Sequence, residues 1–506
     1  MRAAASNPYA MGLKLSAEGR HVEALEQYER ALAARPDDAR VLFALGHTAR
    51  TLGMPAAAEE LFRRVLAQDP ARLEAIVSLA NLLRARGQGE AAEAILAPAL
   101  ARDPESPELR LTLGSTYRER GDYARAAEHY RAALAKKPDY VPALVNLADI
   151  LADDGAQEEA LALYSKAIAR APDNAQARLN RAVLHLLRGE LKQGWRDYQA
   201  RLKVPGKTPT PEHFLTRWEG ATLKRTRLLV TGEQGIGDQI MFASMIPDLA
   251  AWAAQEEGAI LLECEPRLVP LFARSFPEVS VHRWDLESRE GVTRSRHGWL
   301  KAAGGASAFI ELGSLARYLR RDLASFGARR AFLAPDGEET ARWQAALSQA
   351  GEGPFTGVCW RSGNSAAGHR ALQYAPREAW AAFIAELPGT VVSVQYDAAD
   401  EEVAALGALA GRPIATLPKL DQKNELDRTA AMLAALDAVV TAPTAVAWLA
   451  AGVGTQTYKV LYDTSWTAFG EKHEPFAPAC ELMMPAARGD WAEVFAKTLK
   501  RLNAPR

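Results

Sequence analysis

The chain of 506 residues is poor in the features that most readily assign a protein to a class. It contains only three cysteines, Cys264, Cys359 and Cys480, which lie far apart and lack metal-ligand spacing. This excludes a disulfide framework and fits a reduced compartment. No apolar run approaches the roughly 18 residues of a transmembrane helix, and the N-terminus lacks the apolar core of a signal peptide. We therefore expect a cytoplasmic protein without membrane insertion.

An excess of charge of one sign is also missing, since 61 basic residues face 62 acidic ones. A strongly basic domain is the usual footprint of nucleic-acid binding. The charge balance therefore predicts no nucleic-acid partner and no attachment to an anionic membrane by bulk charge. With 48% hydrophobic and 24% charged residues, the chain has the composition of a soluble protein with two to four domains.

What the first two-fifths of the chain does have is a repeat with a period of 34 residues. The period recurs in four registers, each suited to one structural role: glycine ends a first helix, alanine allows close packing, a larger apolar residue fills the gap between helices, and proline ends a second helix. The members are Gly19, Gly53, Gly87, Gly121, Gly155 and Gly189; Ala24, Ala58, Ala92, Ala126 and Ala160; Tyr28, Phe62, Leu96, Tyr130 and Tyr164; Pro36, Pro70, Pro104, Pro138 and Pro172.

This pattern resembles the tetratricopeptide family and predicts an α-solenoid over residues 5–202, with five regular repeats and a degenerate sixth. In the sixth, Gly194 replaces the alanine. The resemblance implies a concave surface that binds a protein partner, whereas a dimerisation module or a spacer is the alternative. The asparagine ladder by which some members grip peptides is present only at Asn146 and Asn180.

Residues 203–225 form a linker, because three prolines fall within residues 203–213. Beyond it, β-rich runs alternate with helical stretches, which predicts parallel sheets with crossover helices. We expect two Rossmann-like α/β lobes with a cleft between them, over residues 226–345 and 346–506. The predicted strands are 227–231, 259–264, 279–284 and 308–312 in the first lobe, and 356–360, 391–396, 414–417, 437–442 and 457–462 in the second.

A glycine loop follows the first of these strands. It contains Gln234, Gly235, Gly237 and Asp238 and leads into a helix, so its backbone permits close approach of a ligand to an electropositive helix start. It is neither a Walker loop nor a dinucleotide fingerprint, because Ile240 stands where the third glycine belongs. Asp238 is either a ligand-facing carboxylate or a simple helix cap, and both roles are compatible.

Gly235-Ile236-Gly237-Asp238, followed by an apolar run to Pro247, resembles the heptosyltransferase-like superfamily of inverting glycosyltransferases. The resemblance implies a two-lobed GT-B-type fold and a catalytic base at Asp238. Further short stretches resemble the bacterial branch in which tetratricopeptides precede this transferase, and the layout also resembles O-linked N-acetylglucosamine transferases and, more closely, flagellin glycosyltransferases. These stretches are 189–190, 194–195 and 198; 313–315 and 317–318; 332–336; 357–360 and 363–364; and 466, 469–470, 475–476 and 478.

The second lobe is expected to hold a nucleotide-sugar. Thr441, Thr444 and Ala445 follow a strand and open a helix, which predicts either a phosphate site or a plain helix cap. Pro443 stands where the family has the aspartate of an Asp-Thr or Asp-Ser pair, and Trp448 stands where it has a histidine. The remaining candidates follow other strands of this lobe. Arg361, Asn364 and Arg370 lie in the loop after the strand at 356–360, where an arginine either pairs with a phosphate or a sugar carboxylate or faces only solvent. Gln395, at the end of the strand at 391–396, is the candidate for contact with a base or ribose.

These features together predict an inverting glycosyltransferase that needs no metal or other cofactor. It would move a sugar from a nucleotide-sugar to serine or threonine of a protein acceptor, with flagellin as the named candidate. The alternative is a non-catalytic adaptor whose transferase part has degenerated, in line with Pro443 and Trp448. Transfer to a lipopolysaccharide-type sugar is a further alternative, although it leaves the solenoid without a role.

Overall fold

A computed structural model describes residues 7–204, 214–233, 235–289, 292–363, 373–417 and 420–504. Most of the predicted linker, at residues 205–213, lies outside the described residues, as do Gln234, Asn364 and Arg370. The chain forms two compact units, residues 1–180 and 181–506. Within the described part, no helix has the length and apolar character needed to cross a bilayer.

The first unit is a stack of antiparallel helix pairs, as the 34-residue period predicts. The glycines that end the first helix of each pair have φ between 73° and 84°, a left-handed conformation that side chains disfavour. Its helices are α1 (Pro8–Ala17), α2 (His21–Ala34), α3 (Ala39–Thr51), α4 (Pro55–Gln68), α5 (Leu73–Ala85), α6 (Gly89–Arg102), α7 (Pro107–Glu119), α8 (Tyr123–Lys136), α9 (Val141–Asp153) and α10 (Gln157–Arg170).

Close packing explains the small residues within each pair. The periodic alanines and the large apolar residues four positions later are buried almost completely. A Cβ added at Gly46 would lie 2.7 Å from the Phe62 ring, and one at Gly114 would lie 2.8 Å from the Tyr130 ring. The large residue of each second helix therefore packs directly on the backbone of the first.

The sixth repeat consists of α11 (Ala175–Leu187) and α12 (Leu191–Tyr198), and all of it beyond residue 180 belongs to the second unit. A Cβ at Gly194 would lie 2.5 Å from Leu186, which explains why glycine replaces the alanine here. Asp197, which is buried, accepts a hydrogen bond from Arg181 at 2.6 Å. The repeat is degenerate in sequence because its packing partners differ.

The first α/β lobe has a four-stranded parallel sheet in the order β3-β2-β1-β6. Its central strands are buried, with Leu228, Leu229 and Val230 fully enclosed. A separate antiparallel hairpin, β4–β5, follows β3 and was not expected from the sequence. The strands are β1 (Arg227–Thr231), β2 (Ala259–Cys264), β3 (Ser280–Arg283), β4 (Leu286–Arg289), β5 (Val292–Ser295) and β6 (Ala308–Glu311).

The second lobe has a six-stranded sheet in the order β11-β12-β10-β9-β7-β8, parallel except for β11. The predicted strand at 414–417 is wrong, because this segment makes only an isolated bridge from Ala415 to Val392. The strands are β7 (Phe355–Cys359), β8 (Thr390–Ser393), β9 (Ala438–Thr441), β10 (Gln456–Val460), β11 (His473–Glu474) and β12 (Ala477–Met483).

Helices flank both sheets, and the segment between the lobes is tied to the second one. The backbone N–H groups of Phe332 and Leu333 both donate to the carbonyl of Gly452 at 2.9 Å. The helices are α13 (Ile236–Ala243), α14 (Ile246–Gln255), α15 (Val269–Ser275), α16 (Ala316–Leu319), α17 (Gly337–Ala350), α18 (Arg377–Ala385), α19 (Asp400–Ala410), α20 (Leu426–Ala434), α21 (Ala445–Gly452) and α22 (Trp491–Leu502).

Candidate functional site

The two lobes meet where α13 and α21 begin. Each helix starts at the carboxyl end of a sheet strand, α13 after β1 and α21 after β9. A Cβ at Gly237 would lie 3.4 Å from the Cα of Ala445 and from the ring of Trp448. The glycine loop therefore brings the two helix starts together, in the part of an open α/β fold where ligands bind.

A cavity of about 770 Å³ lies at this junction and is lined by both lobes. Ile236, Gly237 and Asp238 line it from the first lobe, together with Arg267 from the loop after β2. The volume is within the range typical of small-molecule sites.

Asp238 caps the start of α13 and is also one of the residues that line the cavity. Its Oδ2 accepts a hydrogen bond from the backbone N–H of Gly235 at 3.4 Å, within the first turn of α13. The residue is only partly buried and lines the cavity. The carboxylate that caps the helix start is therefore part of the cavity lining.

The start of α21 forms the facing wall. Thr444 caps the helix, because its Oγ1 accepts from the N–H of Val446 at 3.3 Å, and Thr444 and Ala445 line the cavity. Thr441 is fully buried and donates to the carbonyl of Ala442 at 2.8 Å, so it stabilises the turn between β9 and α21. What this wall offers an anion is mainly the electropositive helix start.

Cys359 ends β7 behind this wall. Its Sγ lies 3.6 Å from the Thr444 Oγ1 and 3.5 Å from the Gln395 Oε1. Burial raises the pKa of the Cys359 thiol to about 11, so the group is a protonated, apolar-like packing residue at neutral pH.

Gln395 does not reach the cavity, in contrast to the prediction that it meets a base or ribose. Its Oε1 accepts from the backbone N–H groups of Trp360 and Arg361, both at 3.0 Å. Its Nε2 donates to the carbonyl of Arg361 and to Asp397. With its hydrogen-bonding capacity used by the protein, Gln395 fixes the loop after β7 instead of contacting a ligand.

Arg361 is also engaged by the protein and is not among the residues that line the cavity. Its guanidinium donates to Glu402 at 2.8 and 2.5 Å and to Asp397 at 3.1 Å. The hydrogen bond from Arg361 holds the pKa of Glu402 below its ordinary value. Two carboxylates therefore neutralise this arginine, which leaves it poorly suited to the predicted phosphate contact.

A buried ion pair beside the cavity was not predicted. Lys459 on β10 lines the cavity, its side chain is only 5% exposed, and its ammonium pairs with Glu474 on β11. The Lys459 Nζ also lies 4.6 Å from the centroid of the Trp448 ring, another lining residue. Fifteen positions separate the two charges in sequence, and no local pattern indicated that they meet.

The glycine loop is held from outside the lobes by the segment that follows the sixth repeat. Arg201, in a short 3-10 turn over Gln199–Lys203, is buried and pairs with Glu233, with Nε to Oε2 at 3.0 Å. It also donates to Ser314 at 2.9 Å, and Glu233 accepts from the N–H of Gly313 at 2.9 Å. This pair was not predicted, because its two members lie 32 positions apart in sequence.

An aromatic cluster surrounds Trp195 of α12, which is 1% exposed. Its ring lies 6.4 Å from Phe242 of the first lobe, and 6.4 Å from Trp466 and 5.6 Å from Phe469 of the second. Trp466 itself lines the cavity. The degenerate repeat thus contributes to the packing that joins the two lobes.

In the first unit, the two ladder asparagines are occupied by neighbouring side chains. Asn180 donates to Asp149 at 2.7 Å, and Asn146 donates to Ser115 at 3.4 Å. Asp149 also pairs with Arg118 at 3.0 Å. The two asparagines that match the ladder are therefore part of a polar network within the protein.

Within the described residues, no group of three or more histidine, cysteine, aspartate or glutamate side chains is arranged to hold a metal ion.

Comparison with known proteins identifies the first part of the chain. Residues 9–72, 111–175 and 145–202 match one tetratricopeptide repeat model, and residues 49–115 match a second. A thermophilic tetratricopeptide protein of Thermus thermophilus is 30% identical, covering 36% of this chain and 98% of its own, with a TM-score of 0.32. YrrB, described as a tetratricopeptide protein with an unusual peptide-binding site, is 22% identical over 34% of this chain and 88% of its own, with a TM-score of 0.27.

One curated relative extends beyond the repeats. Protein FlbA of Caulobacter vibrioides is 32% identical over 326 residues, which cover 64% of this chain and 54% of that protein. The chain therefore spans about half the length of this relative. Because the match is longer than the repeat region at residues 9–202, it includes part of the α/β unit.

Proposed function

We propose that this tetratricopeptide-repeat protein is an inverting glycosyltransferase of the GT-B type, which moves a sugar from a nucleotide-sugar to serine or threonine of a protein acceptor. The observation that carries the proposal is the shared cavity, because Asp238 and the first turn of α21 line the same space between two parallel-sheet lobes. A carboxylate facing an electropositive helix start is an arrangement suited to deprotonating one group and stabilising a departing anion.

In the proposed reaction, the Asp238 carboxylate accepts the proton of the acceptor hydroxyl. The hydroxyl oxygen then forms a bond to the anomeric carbon of the sugar, and the bond from that carbon to the phosphate oxygen breaks. The nucleotide leaves with the bonding electrons, and the first turn of α21, which Thr444 and Ala445 form, stabilises its charge. We propose that the step needs no metal ion.

The solenoid would recruit the acceptor. Tetratricopeptide repeats support a protein-interaction role, and the transferases that the sequence resembles make flagellin the candidate acceptor. Since the ladder asparagines are engaged within the protein, we propose recognition through side chains or a folded surface.

The test uses the full chain with CMP-, UDP- and GDP-linked sugars and purified flagellin, with intact-mass spectrometry of the acceptor as the readout. Wild type is expected to add one sugar mass per modified site, with a chelator present or absent. Asp238→Asn keeps a hydrogen-bond acceptor for the N–H of Gly235 but removes the base, so we expect a loss of about 10²–10⁴-fold in transfer rate. Asp400→Asn, which changes an exposed carboxylate in the first turn of α19, is the matched control.

A non-catalytic adaptor is the second candidate. Arg361 and Gln395 are engaged by protein groups, and Pro443 and Trp448 depart from the pattern of the transferases that the sequence resembles. If no nucleotide-sugar yields a mass increase with wild type, and Asp238→Asn behaves identically, the transferase proposal is wrong and the adaptor is favoured.

A further inference from the structure

The ion pair between Lys459 and Glu474 is unusual because its two members differ in their access to the cavity. Lys459 lines the cavity, as do Ser465, Thr467 and Trp448, whereas Glu474 does not and is fully buried. Glu474 thus lies behind the lysine, on the side away from the cavity. A ligand in the cavity would meet the ammonium first.

Glu474 holds the lysine in place with one of its oxygens. Its Oε1 accepts from the Lys459 ammonium, from Thr467 at 2.9 Å and from Ser465 at 3.2 Å. Its Oε2 is buried and has no hydrogen-bond partner among the described residues. Burying a carboxylate in this way is costly, and a role in fixing a functional cation offers a reason for it.

The ammonium retains donor capacity on its cavity side. An ammonium carries three N–H donors, and among the described residues Lys459 donates only to Glu474. Trp448 contributes its ring face at 4.6 Å, which stabilises a cation without accepting a conventional hydrogen bond.

The geometry points to Lys459 as the anion-binding group of the cavity, with a phosphate of a nucleotide or a carboxylate of a sugar as its ligand. Either anion supplies charge-assisted acceptors for the remaining N–H groups. Two other cations line the cavity. Arg267 already pairs with Glu265 at 2.8 Å and donates to the carbonyl of Lys423, and Lys423 itself is an exposed residue. The nature of the ligand rests on the proposed function, but its binding is testable without any transfer.

The experiment measures binding by calorimetry on the full chain, with CMP, UDP, GDP and glucuronate as probes. Lys459→Met alone would leave Glu474 buried and unpaired, so the main variant is Lys459→Met with Glu474→Gln, which keeps acceptors for Ser465 and Thr467. Lys472→Met removes the same charge from an exposed position in the same lobe and is the control. Far-UV circular dichroism verifies that each variant is folded.

We expect at least one probe to bind wild type and to bind the double variant about ten-fold or more weakly. Lys472→Met should change affinity less than two-fold, and Lys459→Arg should retain part of it. Weaker binding of the nucleotides to the double variant assigns the site to phosphate, and weaker binding of glucuronate assigns it to a sugar carboxylate. Failure of every probe to bind wild type, or equal binding by the double variant, overturns the inference. Binding that depends on Lys459 without any transfer by wild type would support this site and contradict the transferase proposal.

Discussion

Replacement of Arg201 by methionine should destabilise the α/β unit strongly, because it leaves the buried Glu233 without its cation. Arg201 donates twice to Glu233, once to Ser314 at 2.9 Å and once to the carbonyl of Tyr198 at 3.2 Å. After the substitution, the described donor that remains for Glu233 is the N–H of Gly313 at 2.9 Å. Breaking a buried pair in this way typically costs about 3–5 kcal/mol.

Tryptophan fluorescence measures this loss in the second unit alone. All 11 tryptophans of the chain lie at or beyond Trp195, and residues 1–180 contain none. A denaturant titration followed by fluorescence therefore reports unfolding of residues 181–506, which matters because a chain with two units need not unfold in one transition. We expect the fluorescence midpoint to fall for Arg201→Met.

Two further variants identify the cause. Arg196→Met changes an exposed arginine of α12, the helix that directly precedes the turn with Arg201, and should stay within about 0.5 kcal/mol of wild type. Arg201→Met combined with Glu233→Gln removes the unpaired charge and should recover about 2 kcal/mol of the loss. A loss below about 1 kcal/mol for the single variant, or a double variant no more stable than the single one, would refute the reasoning.

Two other predictions concern the cavity and the thiols. Gly237→Ala should leave the free energy of unfolding nearly unchanged, because the added Cβ lies at an ordinary 3.4 Å from Ala445. Gly237→Leu should cost about 1–3 kcal/mol in the same fluorescence titration, because its larger side chain forces α13 and α21 apart. Equal midpoints for both variants would contradict this packing. The three cysteines are buried: Cys264, Cys359 and Cys480. Burial raises the pKa of the Cys480 thiol to about 12. A thiol reagent at pH 8 should therefore label none of the three in the native protein and all three after denaturation. Rapid labelling of any thiol in the native state would show that its enclosure is incomplete.

The sequence predicted the repeats well because their determinants are local. Each 34-residue unit carries its own glycine, alanine and proline, and each of these acts on a helix within the same unit. All but one of the parallel strands were also predicted, since β-rich runs alternated with helical ones. The strand over Ala477–Met483 was missed because Glu481 interrupts its apolar pattern and no helical stretch separates it from β11.

The candidate site was predicted only in part, because its chemistry depends on pairings between distant residues. Asp238 and Thr444 were found, since a glycine loop and a helix cap are local signals. The sequence predicted that Arg361 contacts a ligand, but in the structure Glu402, 41 positions away, neutralises its charge. Nothing in the sequence distinguishes Lys459 from an ordinary charged residue on a strand, because only the order of the strands in the sheet brings Glu474 beside it.

The aromatic cluster around Trp195 determines where repeats can be exchanged between related proteins to make chimeras. A terminal repeat normally shields the end of an array from solvent, yet here Trp195 packs on Phe242 of one lobe and Phe469 of the other. The sixth repeat is therefore part of the core of the α/β unit. Exchange of protein-partner specificity between related proteins should succeed when the first five repeats are swapped and the sixth is kept with its own α/β unit. A junction placed after residue 202 would instead replace a piece of that core with a foreign one.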